Sequence, residues 1–341
     1  MLDFTPDPIL VTVGSVPIYW YGICYALGLV VTYLVASREA SRKGLDVDLV
    51  PNGIIVIAVA ALIGGRLYHV IDRWDLYQDN LIGIVLPPYT GLGVFGGLIT
   101  GTVAAILYAR WKRQSVWAWT DVVAPALFAM QAVGRWGNYF NQELYGPPTD
   151  LPWGIPIECQ YRVSAYSCSE FPFETTRFQP LFLYESLSAL VGMIVLLWLA
   201  RRAAGRLRQG DLLGVFFVWY GIVRFALEGL RTDNWTFNGI PTAWLFAAGF
   251  IGFGLLIIAS RHLRPGPSMA EEDARRLAER SAAGGGEPPA GSPDVPATDG
   301  TAESPAGDPT TSDGEPASID PDDETADAPA TDPQAGSAGA T

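Results

Sequence analysis

An arginine, two asparagines and a glutamate close a run of residues otherwise apolar enough to cross a bilayer. The stretch reads Gly134-Arg135-Trp136-Gly137-Asn138-Tyr139-Phe140-Asn141-Gln142-Glu143, with Gly146 just behind it and the apolar run 122–133 ahead. A guanidinium near hydrocarbon costs about 3 kcal/mol even on mild scales, so it lines a functional cavity or snorkels to the headgroups. Arg135, Asn138 and Gln142 stand at i, i+3 and i+7, one face of a helix. If the helix ends near Asn138, the residues after it form a polar turn over that face. Gly134, Gly137 and Gly146 would let backbones approach closely there. A fork of fixed donors backed by amides suits a cluster of anionic oxygens such as a lipid phosphate. A membrane-edge arginine with no ligand is the competing reading.

Other polar residues interrupt apolar runs at chemically suggestive spacings. Arg224, Glu228 and Arg231 stand at i, i+4 and i+7, so two arginines flank a glutamate that can stay ionised and hold one of them in place. The expectation is that Arg224 meets phosphate and Glu228 orients it; a purely structural ion pair is the alternative. In Gly64-Gly65-Arg66 a further guanidinium is expected to line the same cavity or to pair with Glu185, and His69, one turn on, reads as a hydrogen-bonded structural histidine. Tyr21 in Ile18-Tyr19-Trp20-Tyr21-Gly22 could bring a phenol to a headgroup, or simply belong to an aromatic belt. Gly91, Gly93, Gly96, Gly97 and Gly101 make a thin helix face open to a neighbour or a lipid.

These residues must be held by membrane helices. Seven apolar stretches near spanning length run over 16–37, 52–71, 91–109, 119–137, 181–200, 212–230 and 241–260. Arg38, Arg42 and Lys43 follow the first, Arg110, Lys112 and Arg113 the third, Arg201, Arg202, Arg206 and Arg208 the fifth, and Arg261 and Arg264 the seventh. The alternate loops carry only Arg73, then Arg162 and Arg177, then Arg231. The positive-inside rule therefore predicts an all-α membrane protein of about seven spans with its N-terminus outside and its C-terminus cytoplasmic. Residues 1–8 hold no basic residue, so no cleaved secretory signal is expected.

The expected organisation is a membrane domain over 1–264 with an outside loop of about 138–180, a short charged and partly helical linker over 265–280, and a disordered tail over 281–341. The thirteen acidic residues after Arg280 equal the whole net charge of −13. The acidity thus belongs to the tail, which has almost no large apolar side chains to bury and is expected to be dispensable for catalysis, so that a chain truncated after Leu263 keeps activity. Cys159 and Cys168 fall in the outside loop, either bridged or as two free thiols. The two histidines, His69 and His262, and the cysteines show no metal-ligand spacing, so no metal or other cofactor is expected, and no nucleic-acid partner either.

The 134–146 stretch resembles the signature of the prolipoprotein diacylglyceryl transferases: glycine-arginine-apolar-glycine-asparagine, two aromatic or apolar residues, then asparagine-glycine-glutamate. Gln142 stands where that signature has glycine. The resemblance runs over 14–262. It includes the aromatic-Trp-Tyr-Gly start at 19–22, the arginine-glutamate-arginine rhythm at 224–231, and Gln179-Pro180-Leu181-Phe182-Leu183-Tyr184-Glu185, in which Gln179 and Phe182 replace the family's histidine and glutamine. At Gly93-Val94-Phe95-Gly96-Gly97, Phe95 stands where many members have a histidine to which a general-base role is assigned. The resemblance implies transfer of diacylglycerol from phosphatidylglycerol to the lipobox cysteine of a preprolipoprotein, with a thioether formed and glycerol phosphate released at the outer side of a bacterial cell membrane. Under it, Arg135 and Arg224 stabilise the leaving phosphate, with Arg231 and Arg66 behind them. Asn138 and Asn141 hold headgroup or peptide, and Gly146 borders the site. The proton goes to Glu143, to a network around Tyr21, or to the leaving phosphate. The alternative from a different class is a transporter or flippase for an anionic lipid or solute, with membrane lipids its partners in either case.

Overall fold

A computed structural model describes residues 4–78, 81–84, 91–231, 236–237, 239–263 and 265–282. All but the first two residues of the expected tail lie outside these. Among the described residues there are eight α-helices: α1 (Trp20–Arg42), α2 (Leu49–Asp72), α3 (Val94–Trp111), α4 (Val116–Phe140), α5 (Leu181–Arg202), α6 (Asp211–Glu228), α7 (Thr242–His262) and α8 (Met269–Ala282). Six of them, all but α6 and α8, are long and apolar enough to cross a membrane. The sixth expected stretch, 212–230, is α6, which is 18 residues long and carries Asp211, Arg224 and Glu228.

The first apolar stretch was placed too early. Residues 16–19 form a strand, β2 (Val16–Tyr19), which pairs antiparallel with β1 (Ile9–Val13). Gly14 at φ +64 makes the tight turn between them. Alternating β-branched residues around Gly14-Ser15 are a hairpin signal that an all-helical reading passes over. A second short pairing joins β3 (Thr236–Phe237) to β4 (Ile240–Pro241).

α4 organises the bundle, packing on α1, α5 and α6, while α2 pairs with α3 and α6 with α7. Its start is capped by Ser115, whose Oγ accepts from Ala118 N at 3.3 Å. One turn in, the fully buried Asp121 caps a different helix: its carboxylate accepts from Gly210 N at 2.8 Å and Leu212 N at 3.1 Å at the start of α6. Two otherwise orphaned donors and the positive end of the α6 dipole are thereby met by a charge on α4. The α2–α3 pair is joined by backbone as well as by small residues, Gly93 N donating to Gly65 O at 2.8 Å.

The residues between α4 and α5 form a compact cap, whose core joins Tyr145, Ile155, Ile157, Tyr166 and Phe178 to Phe182 of α5. Cys159 and Cys168 are bridged, with Cα atoms 5.7 Å apart. The Arg162 guanidinium lies over the Phe178 ring and donates to Ile157 O at 2.7 Å.

α8 begins at Met269, within the charged and partly helical linker expected over 265–280, and it docks on the bundle. Met269 is fully buried beside Leu196, Ala200 and Leu212, and its N–H donates to Leu207 O at 2.7 Å. Asp273 lies 3.6 Å from the buried Lys43 ammonium and pairs also with Arg276. Burial pushes the Lys43 ammonium below its ordinary value, against the pull of Asp121 and Asp273. Deleting everything after Leu263 takes away an acidic partner of this buried cation, a change that costs about 3–5 kcal/mol in comparable cases. Truncation after Ala282 is therefore expected to leave the thermal unfolding midpoint in detergent unchanged, and truncation after Leu263 to lower it by many degrees. Equal midpoints would show that α8 contributes nothing to the bundle.

Candidate functional site

The chemistry-bearing side chains gather at the end of the bundle where α4 and α6 finish and α1 and α5 begin. Arg135, in the last turns of α4, meets Glu185 of α5, Nε to Oε2 at 2.7 Å. Glu185 thus pairs with an arginine from another helix, and that arginine is Arg135 rather than Arg66, which was expected either to pair with Glu185 or to line the same cavity. One turn beyond, Asn138 Nδ2 donates to Glu143 Oε1 at 2.7 Å, and Asn141 Nδ2 reaches the same oxygen at 3.4 Å. Among the described residues, the other carboxylate oxygen of Glu143 takes no hydrogen bond, and the residue is exposed.

The turn that carries these groups is tightly wound. Asn141 N donates to Gly137 O, Gln142 N to Tyr139 O and Glu143 N to Asn138 O, at 3.1, 3.0 and 2.9 Å. Gln142 adopts φ +52 and Leu144 φ +58, backbone that side chains other than glycine rarely take. The glycine of the resembled signature thus falls at a left-handed position, which explains its residue type. Gln142 is not on the exposed face with Arg135 and Asn138; it is buried, 2% exposed, because the helix ends at Phe140 and the i, i+7 relation is lost.

Tyr21 reaches this turn from α1. A Cβ on Gly137 would lie 2.8 Å from the Tyr21 ring, so glycine there is what allows the contact. The Tyr21 hydroxyl donates to Tyr25 Oη at 3.1 Å, and both Arg135 and Glu143 are within electrostatic reach of the phenol. Beside them an open groove of about 410 Å³ is lined by Ile18, Tyr19, Tyr21, Gly22, Ile23 and Asn141.

Arg224 and Glu228 form the second pair, Nη2 to Oε2 at 2.8 Å along α6. Arg224 Nη1 is buried and has no hydrogen-bond partner among the described residues. A cleft of about 10 Å³, the room of one water, lies between α4, α5 and α6. Its lining includes Glu185 and Arg224 together with Gln131, Ser188, Trp219 and Tyr220. Glu185 and Arg224, one member of each arginine–glutamate pair, therefore meet at this narrow seam. Gly146 lets the start of the cap approach the end of α6 and the entry to α5: a Cβ there would lie 3.2 Å from Leu230 O and 3.2 Å from the Gln179 Cβ. Arg231 follows directly, its N–H bonded to Glu228 O at 3.1 Å. Gln131 was not singled out from the sequence, although an amide one turn before Arg135 in an apolar run is a readable signal.

Arg66 is engaged elsewhere. It donates to Ile84 O at 3.1 Å and Gly83 O at 2.8 Å, and it stacks over the Tyr77 ring at 5.1 Å. It thereby fastens the segment leaving α2. His69, expected to be hydrogen-bonded, has its buried Nε2 unpartnered among the described residues and meets the Tyr77 ring edge-on. Phe95 is half exposed between Tyr68 and Phe246. Among the described residues no group of histidine, cysteine and carboxylate side chains could hold a metal ion.

Comparison with known proteins decides the family. The family described as prolipoprotein diacylglyceryl transferase matches residues 8–260. The chain belongs to it. A phosphatidylglycerol–prolipoprotein diacylglyceryl transferase of Streptococcus pneumoniae (strain ATCC 700669 / Spain 23F-1) is 35% identical over 267 residues, covering 78% of this chain and 98% of the relative. One from Synechococcus elongatus (strain ATCC 33912 / PCC 7942 / FACHB-805) is 36% identical over 259 residues, 75% of this chain and 88% of the relative. This chain is accordingly a transferase and a multi-pass membrane protein, and the transporter reading has no support.

A methyl group at residue 137 has nowhere to go except into the Tyr21 ring. Gly137→Ala is expected to cost about 1–3 kcal/mol of stability, as overpacking does, and to reduce transferase activity by displacing the phenol. Unfolding midpoints and initial rates of the purified variant check this, and unchanged values for both would contradict the contact.

Proposed function

We propose that the Arg135–Glu185 and Arg224–Glu228 pairs form the phosphate site for phosphatidylglycerol, and that the transferase moves its diacylglyceryl group to the lipobox cysteine of a preprolipoprotein signal peptide. The observation that carries this reading is the meeting of the two pairs: guanidiniums on adjacent helices are each held by a carboxylate, Glu185 of one pair and Arg224 of the other line one small cleft, and Arg224 keeps a buried donor unspent. In the reaction the cysteine sulfur bonds to the terminal glycerol carbon of the diacylglyceryl moiety. The bond from that carbon to the phosphate oxygen breaks, and glycerol phosphate leaves with the electron pair. Negative charge grows on the departing oxygen, so fixed guanidiniums in a water-poor seam lower the barrier. The glutamates keep those guanidiniums oriented without neutralising every donor.

The nucleophile must be a thiolate, and a free thiol loses its proton only near pH about 8.5. Glu143 has a free oxygen to take that proton, while Asn138 and Asn141 fix its other oxygen. Asn138 and Asn141 also present amides to the headgroup or peptide backbone. Tyr21 and Gly146 border the site, Arg231 adds positive charge at the end of α6, and Arg66 acts from the α2 side on the loop it fastens. No cofactor takes part in this scheme.

All seven long helices, α1 to α7, span the bacterial cell membrane in this reading. The loops that follow α1, α3, α5 and α7 carry the arginines and lie in the cytoplasm. The N-terminus, the cap and the site face outward, where lipoprotein precursors arrive. α6 spans because its carboxylates are matched, Asp211 by backbone and His262 and Glu228 by Arg224. Residues beyond α8 form a cytoplasmic acidic tail.

Purified protein mixed with phosphatidylglycerol and a lipobox peptide is expected to release glycerol phosphate only when the peptide carries its cysteine. Arg135→Ala and Arg224→Ala should each lower the rate about 10²–10³-fold, the scale for losing one charge-stabilising donor. Release that is independent of the peptide thiol, or indifferent to both arginines, would contradict the proposal.

A further inference from the structure

We infer that Gln142 is a positioning residue, and that through it the Cys159–Cys168 disulfide sets the order of the turn carrying Asn138, Asn141 and Glu143. The inference rests on the catalytic reading of that turn given above.

Gln142 sits in a conformation that costs an L-residue about 1–2 kcal/mol and costs glycine almost nothing. Its side chain is spent entirely on fixing the turn from two sides. Nε2 donates to Pro6 O at 3.1 Å, in the segment leading into the β1–β2 hairpin. Oε1 accepts from Glu158 N at 2.8 Å, in the cap. One buried amide therefore joins three stretches of chain distant in sequence: 6, 142 and 158. Its chain neighbours are Asn141 and Glu143, which meet each other and Asn138 at a single carboxylate oxygen. Movement of residue 142 must therefore move the acceptor proposed for the thiol proton.

The second partner leads directly to the disulfide. Glu158, whose N–H is held by Gln142, is the residue before Cys159, and Cys159 begins the short helical turn over residues 159–161 closed by Arg162 N to Cys159 O. Cys159 is exposed, so a water-soluble reductant can reach the bridge. A phosphine gives two electrons to the bridge and becomes its oxide by taking oxygen from water, whose two protons go to the sulfurs; this opens the loop 159–168 into two thiols and frees the 158–160 segment to leave Gln142. The amide then loses an anchor, and the strained backbone at 142 can relax toward ordinary φ. The turn loosens without any change in Arg135 or Arg224.

The test compares wild type with Gln142→Gly, each oxidised and reduced by tris(2-carboxyethyl)phosphine, in the glycerol phosphate assay and by hydrogen exchange of the amides at 141–146. Glycine removes both side-chain anchors while relieving the backbone, so the variant folds without the strain that an alanine would keep. Expected results are faster exchange at 141–146 in Gln142→Gly and a fall of about tenfold in its rate, mostly in kcat, the scale of a mispositioned proton acceptor. Reduction should produce the same two changes in wild type and no further change in Gln142→Gly. Wild-type exchange and rate in Gln142→Gly would overturn the inference. So would reduction that leaves wild type unchanged or slows both proteins by the same factor. Exchange reads the coupling even if the transferase assay fails, which separates this inference from the proposed reaction.

Discussion

The constraint on which this structure depends is that a guanidinium carried into an apolar bundle must bring a carboxylate with it. Arg135 and Arg224 lie on helices that pack against one another, and each is neutralised by a glutamate at under 3 Å. Removing either glutamate would leave a partly buried charge uncompensated, which costs about 3–5 kcal/mol in buried pairs. Removing either arginine would do the same to the glutamate. The pairs fix α4 to α5 and stiffen the end of α6. The Arg224 pair also leaves one buried guanidinium nitrogen, Nη1, without a hydrogen-bond partner among the described residues. The same interaction therefore stabilises the bundle and, in the proposed reading, holds a donor ready for the lipid phosphate.

Register along the helices comes from the opposite end. Asp121 lies about 21 Å along α4 from Arg135, yet it fixes where α6 begins by accepting two N–H groups at its start. Arg224 is a set number of turns further along α6, so its depth relative to Arg135 follows from that cap. His262 of α7 adds to the junction by contacting Asp211 at 2.8 Å, and α8 closes the same end over Lys43. The polar residues at the end remote from the site thus act as a ruler, and those at the site as the reading.

Much of this was legible in residue types. Helix positions followed from the apolar runs, and the pairing of Glu228 with Arg224 followed from their i, i+4 spacing. The coincidence of Arg135 with Glu185 did not follow, because nothing local links residue 135 to residue 185; Arg66 was an equally sound candidate for Glu185 by sequence alone. The burial of Gln142 was hidden by its polarity, since helical spacing placed it on the face of Arg135 until the chain turned left-handed at φ +52. The cap over the site was read simply as a loop, because its aromatic core is scattered from Tyr145 to Phe182 and has no period. The β1–β2 hairpin was lost to the apolar run that continues into α1. In each case the missing term was a contact between residues far apart in sequence.

The central claim is that the two held arginines bind an anionic lipid headgroup. Native mass spectrometry of the transferase released from nanodiscs holding equal amounts of phosphatidylglycerol and zwitterionic phosphatidylethanolamine tests it without relying on turnover. Wild type should retain phosphatidylglycerol selectively, and the double variant Arg135→Gln/Arg224→Gln should retain both lipids alike. Selective retention that survives in the double variant would place the headgroup elsewhere and contradict the account.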